Sequence, residues 1–294
     1  MSVPFFKDFS KKTKGFFKQS RGDDYNLGES LNFKLKNNDF TFKGKLKQSG
    51  NNLDQKLVLI LSRKFGNIEI EENGSKISAT INVPNIYKDI DLETKHTNKE
   101  VNVTVKYKPK NCYYNARFKG DYAPNKTQKG NISFAVGDDS LNLSVGGEVT
   151  INKSVSKSGN QTTESWPYNY KLGFLYQPNK ESQYSVEFAP DQTGGLDYSF
   201  DLYRKLNATV DIAGRATGKV DTSIDDGKPT ISIGAGFNLK GGNRLQGFVN
   251  SQSEYGFYYK AKVTPSACIT FGVSGYKAGN NDVINPRLGY KFEI

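Results

Sequence analysis

The feature that most constrains this chain is a strict alternation of apolar and polar residues, which begins near residue 25 and continues to the last residue. In the first alternating segment, Leu31, Phe33 and Leu35 alternate with Asn32 and Lys34. A period of two residues places successive side chains on opposite faces of an extended strand. The segments run for about 8 to 11 residues each and are separated by clusters of Gly, Asn, Asp and Pro. The sequence therefore predicts an all-β chain of about nineteen or twenty strands.

The alternation favours one large barrel over several small sandwiches. Sandwich domains have seven to nine strands in about 100 residues, whereas all 294 residues here run on without a break in composition. A tilted strand that crosses a membrane needs about 9 to 11 residues. Tyrosines recur at the predicted strand ends, as interfacial girdles require: Tyr25, Tyr107, Tyr168, Tyr176, Tyr255 and Tyr276. We therefore expect a single transmembrane β-barrel over 25–294, with its apolar face toward membrane lipids and its polar face toward water.

No other membrane-crossing element is predicted. The longest aliphatic run, 57–61, is far shorter than the roughly 18 residues of a membrane helix. The N-terminus lacks the apolar core of a secretory signal peptide. If the chain spans a membrane, a closed barrel is the remaining way to satisfy its backbone hydrogen bonds.

The segment 1–22 differs from the rest because it follows a helical period. At 100° per residue, five phenylalanines fall within one third of the helix circumference, and four lysines cluster on the opposite side. Pro4 suits a first helical turn, and Gly22 is expected to end the helix and act as a hinge. The phenylalanines are Phe5, Phe6, Phe9, Phe16 and Phe17, and the lysines are Lys7, Lys11, Lys14 and Lys18.

Three interpretations of this helix compete. It could pack on a soluble core, or it could be a mitochondrial targeting peptide. It could also dock on a membrane surface or an apolar wall. Targeting peptides are rich in Arg and poor in acids, whereas this segment contains Asp8 and has no Arg before Arg21.

Composition excludes several function classes. The net charge is +11, but the basic residues are spread along the chain without a nucleic-acid-binding motif, so no nucleic-acid partner is expected. His96 is the single histidine and Cys112 and Cys268 are the two cysteines, which leaves little for a catalytic triad, a metal site or a disulfide framework. Gly234 and Gly236 open like a dinucleotide fingerprint, but the third glycine is missing. We expect no enzyme activity, no cofactor and no metal.

Several segments resemble the mitochondrial porin family, the voltage-dependent anion channels. The opening MSVPFFKDF, the segment FGNIEIEENGSKISATINV at 65–83 and LYRKLNATVDIAG at 202–214 are similar to family sequences. The last eight residues match the mitochondrial β-signal, a membrane-insertion pattern, through Arg287, Gly289, Phe292 and Ile294. The resemblance implies a nineteen-stranded barrel and a membrane-facing Glu on the fourth strand. Alignment puts Glu71 at that position, but the alternation turns Glu71 inward.

The resemblance further implies a voltage-gated, weakly anion-selective pore of the mitochondrial outer membrane that passes ATP, ADP, phosphate and small ions. Membrane lipids, the outer-membrane insertion machinery and further copies or other membrane complexes are the implied partners. A protein-import pore of the same barrel superfamily is the alternative. The helix is expected inside the pore, with its phenylalanines docked on the wall and Lys7, Lys11, Lys14 and Lys18 facing the water path, with Lys12 to one side. Lysines on the polar face of the strands, among them Lys34, Lys43 and Lys45, would add to the positive electrostatic potential along the water path.

Overall fold

The computed structural model describes most of the chain. The described residues are 3–21, 30–49, 52–74, 76–97, 100–109, 113–122, 128–138, 140–158, 161–190, 195–220, 229–278 and 281–293. They form an all-β fold with one α-helix at the N-terminal end.

Twenty strands follow the helix. A 3-10 turn, Phe6–Asp8, precedes the helix α1, Lys11–Arg21, and a second 3-10 turn, Lys240–Gly242, lies late in the chain. The strands are β1 Ser30–Lys36, β2 Phe40–Ser49, β3 Asn52–Arg63, β4 Gly66–Asn73, β5 Lys76–Tyr87, β6 Ile90–Thr97, β7 Val101–Tyr107, β8 Tyr114–Tyr122, β9 Gln128–Asp138, β10 Leu143–Ser158, β11 Gln161–Ser165, β12 Tyr168–Asn179, β13 Ser182–Pro190, β14 Leu196–Lys205, β15 Val210–Val220, β16 Thr230–Asn238, β17 Arg244–Asn250, β18 Glu254–Thr264, β19 Ala267–Ala278 and β20 Asn281–Glu293.

The sheet closes on itself. Consecutive strands pair antiparallel, and β1 then pairs with β20 in parallel, from Ser30 beside Gly289 to Lys34 beside Glu293. The short strand β11 pairs with the distal end of β10, while β12 pairs with the rest of β10, so nineteen of the twenty strands form the wall. An odd number of alternating strands leaves the first and last pointing the same way, which is why the closing pair is parallel. Within the described residues, closure gives each of the nineteen wall strands a partner on both sides.

The two faces of the wall have opposite character. On β9, Phe134 is 50% exposed on the outer face, whereas its neighbours Ser133 and Ala135 on the inner face are 1% and 0% exposed. The same alternation recurs on β12, where Phe174 is exposed and Leu175 is buried, and on β16, where Ile233 is exposed and Ser232 is buried. Apolar side chains therefore cover the outside, and the inner face is predominantly polar.

The buried core lies inside the barrel, between the N-terminal segment and the inner face. The helix contacts β14, β15, β17 and β18, and the preceding 3-10 turn contacts β9 and β10. No helical segment in the described part of the chain is long and apolar enough to cross a membrane.

The N-terminal helix is shorter than the periodicity over 1–22 predicts. The backbone makes a 3-10 turn first, with hydrogen bonds from Asp8 to Phe5 and from Phe9 to Phe6, and α1 starts only after Ser10. The Ser10 hydroxyl donates to Glu187 on the wall at 2.6 Å, so a contact with the barrel occupies the side chain that precedes the helix. Gly22, the predicted hinge, lies outside the described residues.

Candidate functional site: the helix inside the barrel

Three buried carboxamides of the wall bind the backbone of the N-terminal segment. Asn115 on β8 donates to the carbonyls of Val3 at 2.9 Å and Pro4 at 3.0 Å. Gln183 on β13 donates to the Asp8 carbonyl at 3.3 Å and accepts from the Lys12 amide at 3.1 Å. Gln246 on β17 donates to the Phe16 carbonyl at 2.8 Å.

These hydrogen bonds place the segment across the inner face from β8 to β17. Unpaired backbone groups are costly when buried, and the three amides satisfy several of them. Alternation in the sequence marks all three as inward-facing polar residues, but it gives no sign that they bind the helix.

The apolar stripe packs in two separate clusters. Val3, Phe6 and Phe9 pack against Ala135 and Leu175, and all five side chains are buried. The rings of Phe6 and Phe9 meet edge to face at 5.2 Å.

The second cluster lies near the helix C-terminus. Phe16 and Phe17 are buried against Ala213 and Phe248, with Tyr203 packed beside them, and the rings of Phe17 and Phe248 are 5.8 Å apart. Four predicted docking residues, Phe6, Phe9, Phe16 and Phe17, thus contact the wall. The sequence analysis did not identify Leu175 and Phe248, the apolar wall residues at inward positions, although their departure from the alternation could have indicated the docking surface.

Phe5 takes a different position from the other four. It precedes the 3-10 turn with extended backbone, and its ring lies 5.5 Å from the Lys108 ammonium, outside both apolar clusters. The helical wheel assumes that α1 starts at the front of the segment, and the extended backbone at Phe5 removes that residue from the helical stripe.

Glycines of the inner face make room for the phenylalanine rings. A Cβ at Gly146 would lie 3.0 Å from Phe6 and 3.1 Å from Phe9, and one at Gly173 would lie 2.8 Å from Phe6. At Gly234 a Cβ would lie 2.5 Å from Phe16. The close approach of the rings to the backbone therefore depends on three residues without side chains.

The helix lysines fall into two groups. Lys14 lies 3.3 Å from the Glu187 carboxylate, and the Lys12 ammonium donates to the Lys180 carbonyl and lies 5.7 Å from the Tyr203 ring centroid. Lys7, Lys11 and Lys18 are exposed, and Lys11 also approaches Asp8 of its own segment at 3.6 Å. Burial lowers the pKa of Lys12, while Glu181 opposes this shift.

A second group of lysines lies on the inner face of β1 to β3. Lys34 is directly opposite Lys43, and Lys45 is directly opposite Lys56. Lys56 pairs with Glu71 at 2.8 Å, which shows that the Glu71 carboxylate points into the barrel as the alternation predicts. Glu72, the next residue, shares the outward register of Ile70 and Ile77. Along the closed wall, β19 and β20 separate these first strands from β18, one of the strands that contact the helix.

A polar network joins the helix to β14, β15 and β17. Arg244 contacts both carboxylate oxygens of Asp211, at 3.0 and 2.8 Å, and also donates to Gln246. Tyr203 donates to Asp211 at 3.1 Å. These groups border a cavity of about 450 Å³ that also touches Lys11, Lys12 and Lys260. The arrangement is cationic on balance and open to the interior of the barrel.

The predicted insertion-signal residues lie on the closing strand. Gly289 is in register with Ser30 of β1 and Thr270 of β19, and Phe292 is in register with Phe33 and Ala267. Arg287 is opposite Gly272. Ile294 lies outside the described residues. No group of three or more metal-binding side chains occurs in the described ranges.

Of three comparisons with known proteins, the comparison with solved structures gives a match. A scan against models of protein families gives no match, and a search of curated proteins gives none. Among solved structures, the chain is similar to OmpT (in-vitro folded), an outer membrane protein of Vibrio cholerae, at 10% sequence identity and a TM-score of 0.30, over 90% of this chain and 94% of that chain. The fold described above rests on the pairing of this chain's own strands.

Proposed function

We propose that this protein is a voltage-gated, weakly anion-selective pore of the mitochondrial outer membrane, through which ATP, ADP, phosphate and small ions diffuse. The observation that carries the proposal is a closed nineteen-stranded wall that is apolar outside and polar inside, with a cationic helix docked on its inner face. The match of residues 287–294 to the mitochondrial β-signal supports the location.

The outer face supports insertion in a membrane. Large apolar side chains are exposed on nearly every wall strand, including Phe118, Phe134, Phe174, Phe200 and Phe271. A soluble monomer rarely exposes contiguous apolar surface on this scale, whereas a membrane barrel needs it. Extraction with alkaline carbonate tests this step, because an inserted barrel stays in the membrane pellet and a soluble protein is released.

The inner face supports a preference for anions. Lysines of the docked helix and of the inner face of β1 to β3 lie inside the barrel. A water path lined by one sign of charge raises the local concentration of the opposite ion. Because both lysine groups lie along the interior, we propose that phosphate and nucleotide anions enter more readily than cations of similar size.

A salt gradient across a planar bilayer tests the selectivity. Replacing Lys7, Lys11, Lys14 and Lys18 by glutamine removes four charges without placing a carboxylate beside Glu187. The zero-current potential should shift toward cation preference. Lys64→Gln with Lys88→Gln, two exposed turn positions, is the control and should leave it unchanged. An unchanged potential in the helix variant would reject the helix as the selectivity element.

A further inference from the structure

We propose that Lys7, Arg117 and Ser133 form a binding site for a phosphate group on the inner wall, beside the start of the N-terminal segment. The site deepens the proposed function, because phosphate-bearing anions are the proposed permeants. It is distinct from the Arg244 cavity, which is bordered by β14, β15 and β17 and not by β8 or β9.

The fold brings these three residues together. Asn115 binds the carbonyls of Val3 and Pro4, and Phe6 packs on Ala135, so the segment that carries Lys7 crosses the inner face of β8 and β9. Arg117 follows Asn115 on the inner face of β8, and Ser133 precedes Ala135 on that of β9. Arg117 and Ser133 are directly opposite each other in register.

Charge in this region is not balanced by the nearby acids. Lys106 is directly opposite Arg117 on its other side, so two cations are neighbours across the strands, which is unfavourable by itself. The surrounding carboxylates have other cations as partners: Glu93 pairs with Lys106 at 3.0 Å, Asp121 with Lys119 at 3.1 Å and Asp8 with Lys11 at 3.6 Å.

The excess of positive charge affects the pKa of Lys7. Burial lowers the pKa of Lys7, and the neighbouring charge of Arg117 lowers it further. Lys106 acts in the same direction, while Asp8 and Glu93 oppose the shift. An anion bound between Lys7 and Arg117 would reverse the repulsion and keep Lys7 charged.

Two buried donors at the site have no partner within the described structure. The Arg117 Nε and the Ser133 hydroxyl are both buried and make no hydrogen bond to any described residue. Ser133 is 1% exposed, so bulk water does not compensate. Buried polar atoms of this kind normally have a partner. A phosphate group offers several acceptor oxygens to a guanidinium, a hydroxyl and an ammonium together, and hydrogen bonds between charged groups are the strong class.

Binding can be measured on the purified full chain in detergent, without any need for a conducting pore. Inorganic phosphate is titrated calorimetrically at constant ionic strength against a chloride background. The wild type should bind saturably, and Arg117→Gln and Lys7→Gln should each weaken binding at least about tenfold, which is about 1.4 kcal/mol. Lys171→Gln removes one lysine charge from the inner face of β12 and should stay within about twofold of wild type.

The outcomes separate this proposal from the proposed function. Absence of saturable binding in the wild type, or equal losses in Arg117→Gln and Lys171→Gln, would overturn the site even if the bilayer recordings show an anion-selective pore. Phosphate binding without conductance would overturn the pore and leave the site standing. Lys7→Gln lies outside the sheet, so it tests the site even if Arg117→Gln fails to fold.

The source of the phosphate group is resolved by competition. ADP that displaces inorganic phosphate from the wild type, and fails to bind Arg117→Gln, would support the site and assign it to nucleotides as well. ADP that leaves the phosphate bound would support a site specific for the inorganic ion. Adenosine, which has no phosphate, should have no effect, and displacement by adenosine would contradict recognition through the phosphate group.

Discussion

Gly173 illustrates how single residues of the wall decide whether the N-terminal segment can dock. A Cβ at this position would lie 2.8 Å from the Phe6 ring and 2.9 Å from the Val186 carbonyl, both closer than normal contact. Because the carbonyl belongs to the backbone, the aromatic ring is the group that must move. The same argument holds at Gly146, where Phe6 and Phe9 both approach.

We expect Gly173→Ala to displace Phe6 and loosen the start of the segment, at a cost of about 1 to 3 kcal/mol for overpacking. Hydrogen exchange of the amides in 5–9 should become faster, while the strands stay protected. Gly130→Ala is the matched control, because nothing lies within 4 Å of a Cβ at that strand position. Equal exchange in the two variants would show that ring contact at Gly173 does not govern docking.

Two lysines of the N-terminal segment, Lys7 and Lys12, should lose their protons below the ordinary lysine pKa. Burial lowers the pKa of both Lys7 and Lys12 below the ordinary lysine value of 10.5. As pH rises, the two ammonium groups therefore become neutral at a pH below that value, and the cationic field inside the barrel weakens.

We therefore expect anion preference to decline at a pH below 10.5, the ordinary lysine value. The zero-current potential in a salt gradient, recorded from neutral to alkaline pH, measures this decline. The Lys7→Gln/Lys12→Gln double variant should start with weaker selectivity and show a flatter profile, whereas Lys88→Gln on an exposed turn should follow the wild type. A double variant with the wild-type slope would contradict the assignment.

At the scale of elements, the free energy that docks the helix on the wall exceeds the electrical work that a modest membrane potential does on its charges. Residues 3–21 contain five lysines, Arg21 and one aspartate, which together carry about five net charges, and moving them through about 35 mV gains about 4 kcal/mol. Burial of four phenylalanines at about 1.5 to 3 kcal/mol each contributes about 6 to 12 kcal/mol. The three carboxamide contacts add to this. Complete release of the helix is therefore too costly to be the voltage response, and charges on the wall must take part in any gating.

This comparison predicts that α1 stays docked when a potential of about 35 mV is applied. In liposomes with a diffusion potential, protection of the helix amides against hydrogen exchange should equal that without the potential. Phe16→Ala/Phe17→Ala should lose protection by more than about 100-fold, because each truncation of a buried Phe costs about 3 to 5 kcal/mol. Phe5→Ala, whose ring lies outside both clusters, should change little. Loss of protection in the wild type under the potential would show that the helix does undock.

At the scale of the whole molecule, stability and insertion both depend on closing the sheet. The parallel pair of β1 and β20 joins residues more than 250 positions apart. Without it, β1 and β20 would each present an unpaired edge, which cannot be satisfied within hydrocarbon. The wall is thus one cooperative unit. In a repeat protein, by contrast, each repeat contacts only the adjacent repeats.

Deletion of 281–294 should therefore abolish the closed barrel instead of producing a slightly smaller one. An eighteen-stranded closure would have to bring β1 and β19 together antiparallel, with new registers on both strands. The expected outcome is a chain that carbonate extracts from membranes and that protease degrades throughout. Deletion of 1–21, which removes the helix and leaves every wall strand in place, is the control and should still give a protease-resistant barrel.

Much of this architecture was predictable because apolar and polar residues alternate along the strands with a period of two. Alternation such as that of Ile132, Ser133 and Phe134 fixes which side chains share a face, and the strand number near nineteen follows from the spacing of turns. The amphipathic character of the N-terminal segment was equally visible, and four of its five phenylalanines lie in the buried clusters. These properties are local, so the sequence determines them without reference to distant residues.

The contacts across the barrel were decided by the tertiary structure alone. The pairing of Lys14 with Glu187, the approach of Lys108 to the Phe5 ring and the electrostatic effect of Arg117 on Lys7 all join residues from distant parts of the chain. Local periodicity specifies the face on which a side chain lies, but the closure of nineteen strands sets which faces meet. The physical reason is that packing and charge pairing depend on distances across the interior, and those distances exist only once the wall has closed.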